Sequence, residues 1–103
     1  EFDKGYYIKP TLFEVTPDNT IFNEEIFGPV LAITPVKNEA EAVKLANRSI
    51  YGLAGAVWSK NPERAKNVAK QLETGTVWIN EYHLLNPGMP FGGYKQSGLG
   101  REM

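Results

Sequence analysis

The sequence of 103 residues contains no cysteine. That absence excludes disulfides, thiolate metal sites and a thiol nucleophile within the chain, and it constrains function more than any other compositional fact. It fits a reducing compartment, and a cytoplasmic location is expected. Histidine is nearly absent as well, His83 being the sole one. A single imidazole with no cysteine beside it is a poor basis for a metal centre or a catalytic triad, so no metal site is expected and His83 reads as a pocket-lining or surface side chain. An excess of charge of either sign is also missing, since 11 Lys and Arg against 12 Asp and Glu leave a formal net charge of −1. No basic field is available to attract phosphate backbones, which disfavours nucleic-acid binding. Apolar runs such as Val30 to Ile33 fall far short of the ~20 residues that cross a bilayer, so no membrane span is expected. The chain begins Glu1-Phe2-Asp3-Lys4, with neither an initiator Met nor the basic-then-apolar design of a secretory signal. Processing or excision is expected to have set that end.

What is present fits a soluble globular domain: 42% of the residues are apolar and 22% charged. The length suits one domain, and residues 1–103 are expected to form a single, partial one. Tyr6 to Val15 is rich in aromatic and β-branched residues and ends at the turn-like Thr16-Pro17-Asp18-Asn19, so it reads as extended, with Pro10 favouring an edge or a break. Ile21 to Phe27 reads as a short helical turn stopped by Gly28-Pro29, and Val30 to Val36 as a strand. Asn38 offers an N-cap with Glu41 three residues on, and apolar residues at helical spacing come next, which predicts a helix to about Arg48. Leu53 to Ser59 suits a strand buried on both faces. Asn61-Pro62-Glu63 supplies an N-cap, a first-turn proline and an early carboxylate, and Ala65, Val68, Ala69 and Leu72 succeed them at i, i+3, i+4, i+7. This helix is expected to close at Thr74-Gly75, ahead of a strand over Thr76 to Asn80.

The order from Val30 to Asn80 is strand, helix, strand, helix, strand. It predicts an α/β fold with a parallel sheet of β-α-β-α-β order and helices packed on it. Ligands of open parallel sheets collect beyond the carboxyl ends of the strands, which directs attention to Asn80 and the long stretch C-terminal to it. From Glu81 to Gly100 no periodicity survives, and an irregular stretch of about twenty residues is too long to be a mere connector.

Several residues in this frame carry chemistry. Glu24-Glu25-Ile26-Phe27-Gly28-Pro29 combines a carboxylate able to accept two hydrogen bonds from a ribose diol with an aromatic able to pack on a flat ring. Spacing alone favours the plainer reading, solvated acids and a core Phe27. Gly92-Gly93-Tyr94-Lys95-Gln96-Ser97-Gly98-Leu99-Gly100 superficially suggests a phosphate loop, but neither the G-x-x-x-x-G-K-[ST] spacing nor a strand–G-x-G-x-x-G–helix context is present. Its glycines read as sharp turns and close packing. Leu84, Leu85, Met89 and Phe91 either line an apolar pocket or anchor the loop on the core. Arg101-Glu102 forms a buried or an exposed ion pair, with position near the chain end favouring exposure. A hydrolase built on His83 with Ser97 or Ser59 rests on that one imidazole.

Taken in order, Pro10-Thr11-Leu12, Glu24 to Val30, Tyr51-Gly52-Leu53-Ala54, Gly75 to Asn80 and Pro90 to Gly98 resemble the NAD(P)-dependent aldehyde dehydrogenase superfamily, specifically the C-terminal part of its catalytic domain. The resemblance runs from about Tyr6 to the end. It implies that Glu25 binds the nicotinamide ribose and Phe27 packs near the nicotinamide, which reverses the plainer reading of that motif. It also implies that Asn80, His83, Leu85 and Phe91 are candidates for lining the aldehyde pocket, and that Glu102 matches a glutamate proposed for a proton path. The family reaction oxidises an aldehyde to a carboxylic acid through a cysteine thiohemiacetal, with hydride passing to NAD or NADP. By that resemblance the cysteine, the nucleotide-binding domain and the general-base glutamate belong upstream, so no catalytic nucleophile is expected here. This chain is expected to be inactive alone and, within the complete enzyme, to be part of a homo-oligomer. A non-catalytic interaction or scaffold domain derived from the same fold is the alternative.

Overall fold

The structure, a computed structural model, describes residues 3–103. Glu1 and Phe2, where the expected domain span begins, lie outside the described residues. The chain divides into two compact units, Glu1–Val36 and Lys37–Met103.

In the first unit, strand β1 (Thr11–Glu14) pairs in parallel with β2 (Val30–Ile33), in the register Thr11↔Val30 to Glu14↔Ile33. Pro10, which has no N–H to give a ladder, stands immediately before β1. The Thr34 hydroxyl donates to the Val15 carbonyl at 2.9 Å, and Pro35 comes next, so β2 stops short of the expected Val36. Between the strands, α1 covers Thr20–Asn23. It is shorter than the turn expected over Ile21 to Phe27, because Glu24 is already extended at φ −110°, ψ 146°. Two adjacent carboxylates at a helix C-terminus oppose its dipole, and a single turn has little cooperative support.

The second unit begins with α2 (Glu39–Ala46), whose Asn38 cap accepts from Glu41 N at 2.9 Å, while Glu41 Oε2 accepts from Lys37 N at 2.6 Å. These local bonds fix the helix start as the sequence suggests. The helix closes in a turn that reaches the expected Arg48, with Asn47 N donating to Val43 O at 3.0 Å and Arg48 N to Leu45 O at 3.2 Å. The Asn47 side chain serves the tertiary structure. Its amide donates to Gln71 O at 2.7 Å and accepts from Glu73 N at 2.9 Å. Strand β3 (Tyr51–Gly52) precedes β4 (Ala54–Val57), which pairs in parallel with β5 (Thr76–Ile79). The crossover helix α3 (Pro62–Ala69) has Asn61 capping Arg64 N at 3.0 Å. It packs on both β4 and β5, with Ala65 fully buried against them. It closes at Lys70 rather than at Thr74-Gly75, so Leu72 lies in the turn beyond it, where its Cδ1 approaches Gly55.

The expected strand–helix–strand–helix–strand order is therefore present as β2, α2, β4, α3, β5, within an α/β architecture. Its strands are divided between two parallel ladders, β2 with β1 and β4 with β5. The last strand, β6 (Tyr94–Lys95), pairs antiparallel with β3.

Candidate functional site

Residues 24–30 of the first unit form an extended stretch that closes in two tight turns, with Gly28 N donating to Ile26 O at 2.9 Å and Val30 N to Gly28 O at 2.8 Å. Phe27 is the middle residue of the first of these three-residue turns and is 97% exposed, an uncovered aromatic face. Glu25 is exposed too, and among the described residues its carboxylate has no hydrogen bond or ion pair. Both oxygens remain available as acceptors. Among the described residues nothing covers Phe27, and an acceptor and a flat apolar surface stand two residues apart.

In the second unit an apolar cavity of about 430 Å³ is bounded by β5 and the segment C-terminal to it. Trp78, Leu84, Leu85, Met89, Phe91 and Met103 contribute to its wall. Of the four residues expected at an aldehyde pocket, the structure brings Leu85 and Phe91 together in this cavity. Asn80 lies outside it, because its side-chain amide is engaged with one backbone position: Oδ1 accepts from Ser59 N at 2.8 Å and Nδ2 donates to Ser59 O at 3.0 Å. That pair ties the ends of β4 and β5 together. His83 is exposed and stacks on Tyr82, with ring centroids 5.3 Å apart, and is likewise not part of the cavity wall. Trp78 and Met103 are lining residues that the sequence does not single out. Trp78 carries a signal of a kind, an indole in a strand that any β-branched or aromatic residue could fill; Met103 carries none.

The cavity's far edge is set by the chain folding back on itself. Phe91 and Glu102 form an antiparallel bridge, Phe91 N donating to Glu102 O at 2.8 Å and Glu102 N to Phe91 O at 2.9 Å. The bridge is backed by Arg101, whose guanidinium donates to Gly93 O at 3.0 Å and Gly100 O at 2.9 Å and lies 5.6 Å from the centre of the Tyr94 ring. Arg101 Nη1 thus serves two backbone carbonyls, and among the described residues no ion pair joins Arg101 to Glu102. The two glycines before β6 pack closely, as expected: a Cβ on Gly93 would meet Ser97 Cβ at 2.5 Å. Ser97 Oγ accepts from Gly52 N at 2.9 Å and Ser59 Oγ from Asn61 N at 3.1 Å. Among the described residues no hydrogen bond joins either hydroxyl to His83, which leaves the hydrolase idea without a geometry.

Comparison with known proteins gives a consistent result. The sequence profile described as the aldehyde dehydrogenase family matches residues 1–103. An aldehyde dehydrogenase of Davidiella tassiana is 55% identical over 102 residues, covering 98% of this chain and 21% of that protein. The structure of the NAD+ complex of an aldehyde dehydrogenase from Bacillus cereus superimposes with a TM-score of 0.94 at 53% identity, covering 100% of this chain and 21% of that one. A Mycobacterium tuberculosis aldehyde dehydrogenase complexed with NAD+ gives a TM-score of 0.90 at 50% identity, over 95% of this chain and 20% of that one. The chain spans about a fifth of the length of the relatives it matches.

Proposed function

The chain belongs to the aldehyde dehydrogenase family, and we propose that it is the part of an NAD(P)-dependent enzyme of that family that supplies a cofactor-ribose acceptor and one wall of the aldehyde pocket. The observation that carries this reading is the apolar cavity beside β5, built from residues of two of the family's ordered motifs, Gly75 to Asn80 and Pro90 to Gly98, and of the segment between them. Leu84, Leu85, Met89 and Phe91 favour an apolar or weakly polar aldehyde, with few polar groups to satisfy. On this reading Asn80 and His83 belong to the approaches of the pocket, and Glu102, held by its bridge to Phe91, to a proton path.

The residues present fit a nicotinamide dinucleotide. Glu25 has two unengaged carboxylate oxygens for a ribose diol and Phe27 a bare ring for the nicotinamide. When bound, the dinucleotide supplies the oxidising power that takes an aldehyde to a carboxylic acid. The cysteine on which the thiohemiacetal forms is not in this chain, so it comes from a polypeptide segment outside residues 1–103. The exposed apolar side chains of Leu12, Leu31 and Leu99 support packing against further segments of one catalytic domain. A cytoplasmic, homo-oligomeric enzyme is part of this proposal; among the described residues no helix is long and apolar enough to cross a membrane. The same exposed side chains favour the second reading, an interaction domain without turnover.

The test is an assay of NAD(P)-dependent aldehyde oxidation by the natural gene product that contains residues 1–103, beside residues 1–103 alone. Turnover is expected from the first and none from the second. Glu25→Gln is expected to raise the KM for the dinucleotide about tenfold, the scale of a lost charge-assisted hydrogen-bond pair. Turnover by residues 1–103 alone, or an unchanged KM in the variant, would overturn the respective assignment.

A further inference from the structure

We infer that Trp78 is a positioning residue that determines which aldehydes the cavity accepts, an inference that rests on the aldehyde dehydrogenase reading above. Residues 81–90 are exposed throughout and contain no strand or helix. Their own hydrogen bonds are local: Tyr82 N to Glu81 Oε1 at 2.8 Å, Gly88 N to Asn86 Oδ1 at 2.9 Å and Met89 N to Asn86 O at 3.0 Å. Among the described residues, the one hydrogen bond that ties this segment to a regular element runs from Trp78 Nε1 to Leu84 O, at 2.7 Å.

Trp78 is suited to that task because β5 is paired with β4 along its length, Ala56 lying opposite Trp78. The edge of its ring also meets Tyr82, with centroids 5.7 Å apart and planes at 71°. Asn80 and His83, on either side of Tyr82, both lie in the left-handed region, with φ 55° and 67°. Asn and His tolerate that conformation better than most side chains, so the chain can reverse at both positions. The indole bond arrives one residue after the second reversal. It therefore fixes where Leu84 and Leu85 stand, and both line the cavity. A strand position beside an apolar pocket could be filled by Phe as well; what Trp adds is one donor. Asn80 keeps its clasp on Ser59 without that donor, but the reversal at His83 loses its support and the two leucines are free to move outward. Cavity width, and hence discrimination among aldehydes, is then set from a strand residue rather than from the segment itself.

The experiment uses the natural gene product and its Trp78→Phe variant. Amide hydrogen exchange is followed over residues 81–90 and over β4 and β5, and KM and kcat are measured for a two-carbon and an aromatic aldehyde. Exchange of the hydrogen-bonded amides in 81–90, those of Tyr82, Gly88 and Met89, is expected to rise, by up to about tenfold at Tyr82 next to the anchored turn, while the strands are unchanged, the scale of one hydrogen bond. The ratio of the two KM values is expected to shift about fivefold, with kcat measured alongside to separate a change in uniform binding from one in the chemical step. Unchanged exchange in 81–90 would overturn the inference whatever the kinetics, and loosened exchange with an unchanged KM ratio would overturn its specificity claim. Exchange of the Trp78 indole N–H in the unmutated protein keeps the inference falsifiable should the variant not fold. It is expected to be much slower than that of Trp58, whose side chain is 63% exposed, and equal rates would refute the anchor. A gene product with no turnover on any aldehyde removes the enzymatic reading, and the specificity claim with it, while the exchange results still decide whether Trp78 anchors the segment.

Discussion

Residues 81–90 and 91–102 are neighbours in one irregular stretch, yet they are held very differently. The first depends on a single indole donor for its tie to a strand. The second is bound at many points: β6 pairs with β3, Phe91 bridges to Glu102, and Arg101 gathers two carbonyls. Lys95 anchors it further, with Nζ 2.7 Å from Asn47 O, 3.1 Å from Ser49 O and 2.8 Å from Glu73 Oε2. Irregular backbone is thus not equivalent to loose backbone. The glycine-rich half acts as a frame for the half that carries Leu84, Leu85 and Met89. On the proposed reading, such a division suits an aldehyde pocket whose lining varies between enzymes while its supports stay put.

The contrast can be broken most severely at Gly75. A Cβ there would fall on the Gly92 carbonyl oxygen and crowd the Leu53 carbonyl. Gly75→Ala is expected to destabilise the natural gene product by about 3 kcal/mol, at the upper end of overpacking effects, read as a lower unfolding midpoint in denaturant. A loss below about 1 kcal/mol would mean that the frame yields more easily than its bonding suggests. Lys95→Met tests the same frame without adding bulk. Removing a half-buried ammonium that serves two carbonyls and a carboxylate is expected to cost about 2 kcal/mol, the scale of hydrogen bonds to a charged group. Unchanged stability would show that β6 holds without it. Leu84→Ala sharpens the comparison from the other side: because this side chain is largely exposed, stability should change by less than about 0.5 kcal/mol. Its effect should appear instead in KM for aldehydes, and a large loss of stability would place residues 81–90 in the frame after all.

Local features of the fold were legible because their causes are local. Asn38 and Asn61 precede their helices and cap them through bonds reaching three residues, and Pro62 needs no partner beyond its own turn. Helix ends were less legible. The α3 helix stops at Ala69 although its apolar spacing runs on to Leu72, whose Cδ1 instead approaches Gly55, a residue distant in sequence. The site divides the same way. Leu85 and Phe91 could be proposed from residue type and family resemblance, whereas the assignment of Asn80 to a clasp on Ser59 required knowing that β4 and β5 end side by side.

By itself, then, the sequence determined the alternation of strands and helices, the capped starts of α2 and α3, the absence of a cysteine nucleophile and, through motifs in a fixed order, the family. Each of these depends on residue identity or on neighbours within one helical turn. Only the tertiary structure decided that β2 pairs with β1, that Phe91 is bridged to Glu102, that Glu25 and Phe27 stand uncovered and that Trp78 holds Leu84. Those outcomes depend on which distant backbone groups meet. Hydrogen-bond donors and acceptors are alike along the chain, and packing selects the partner.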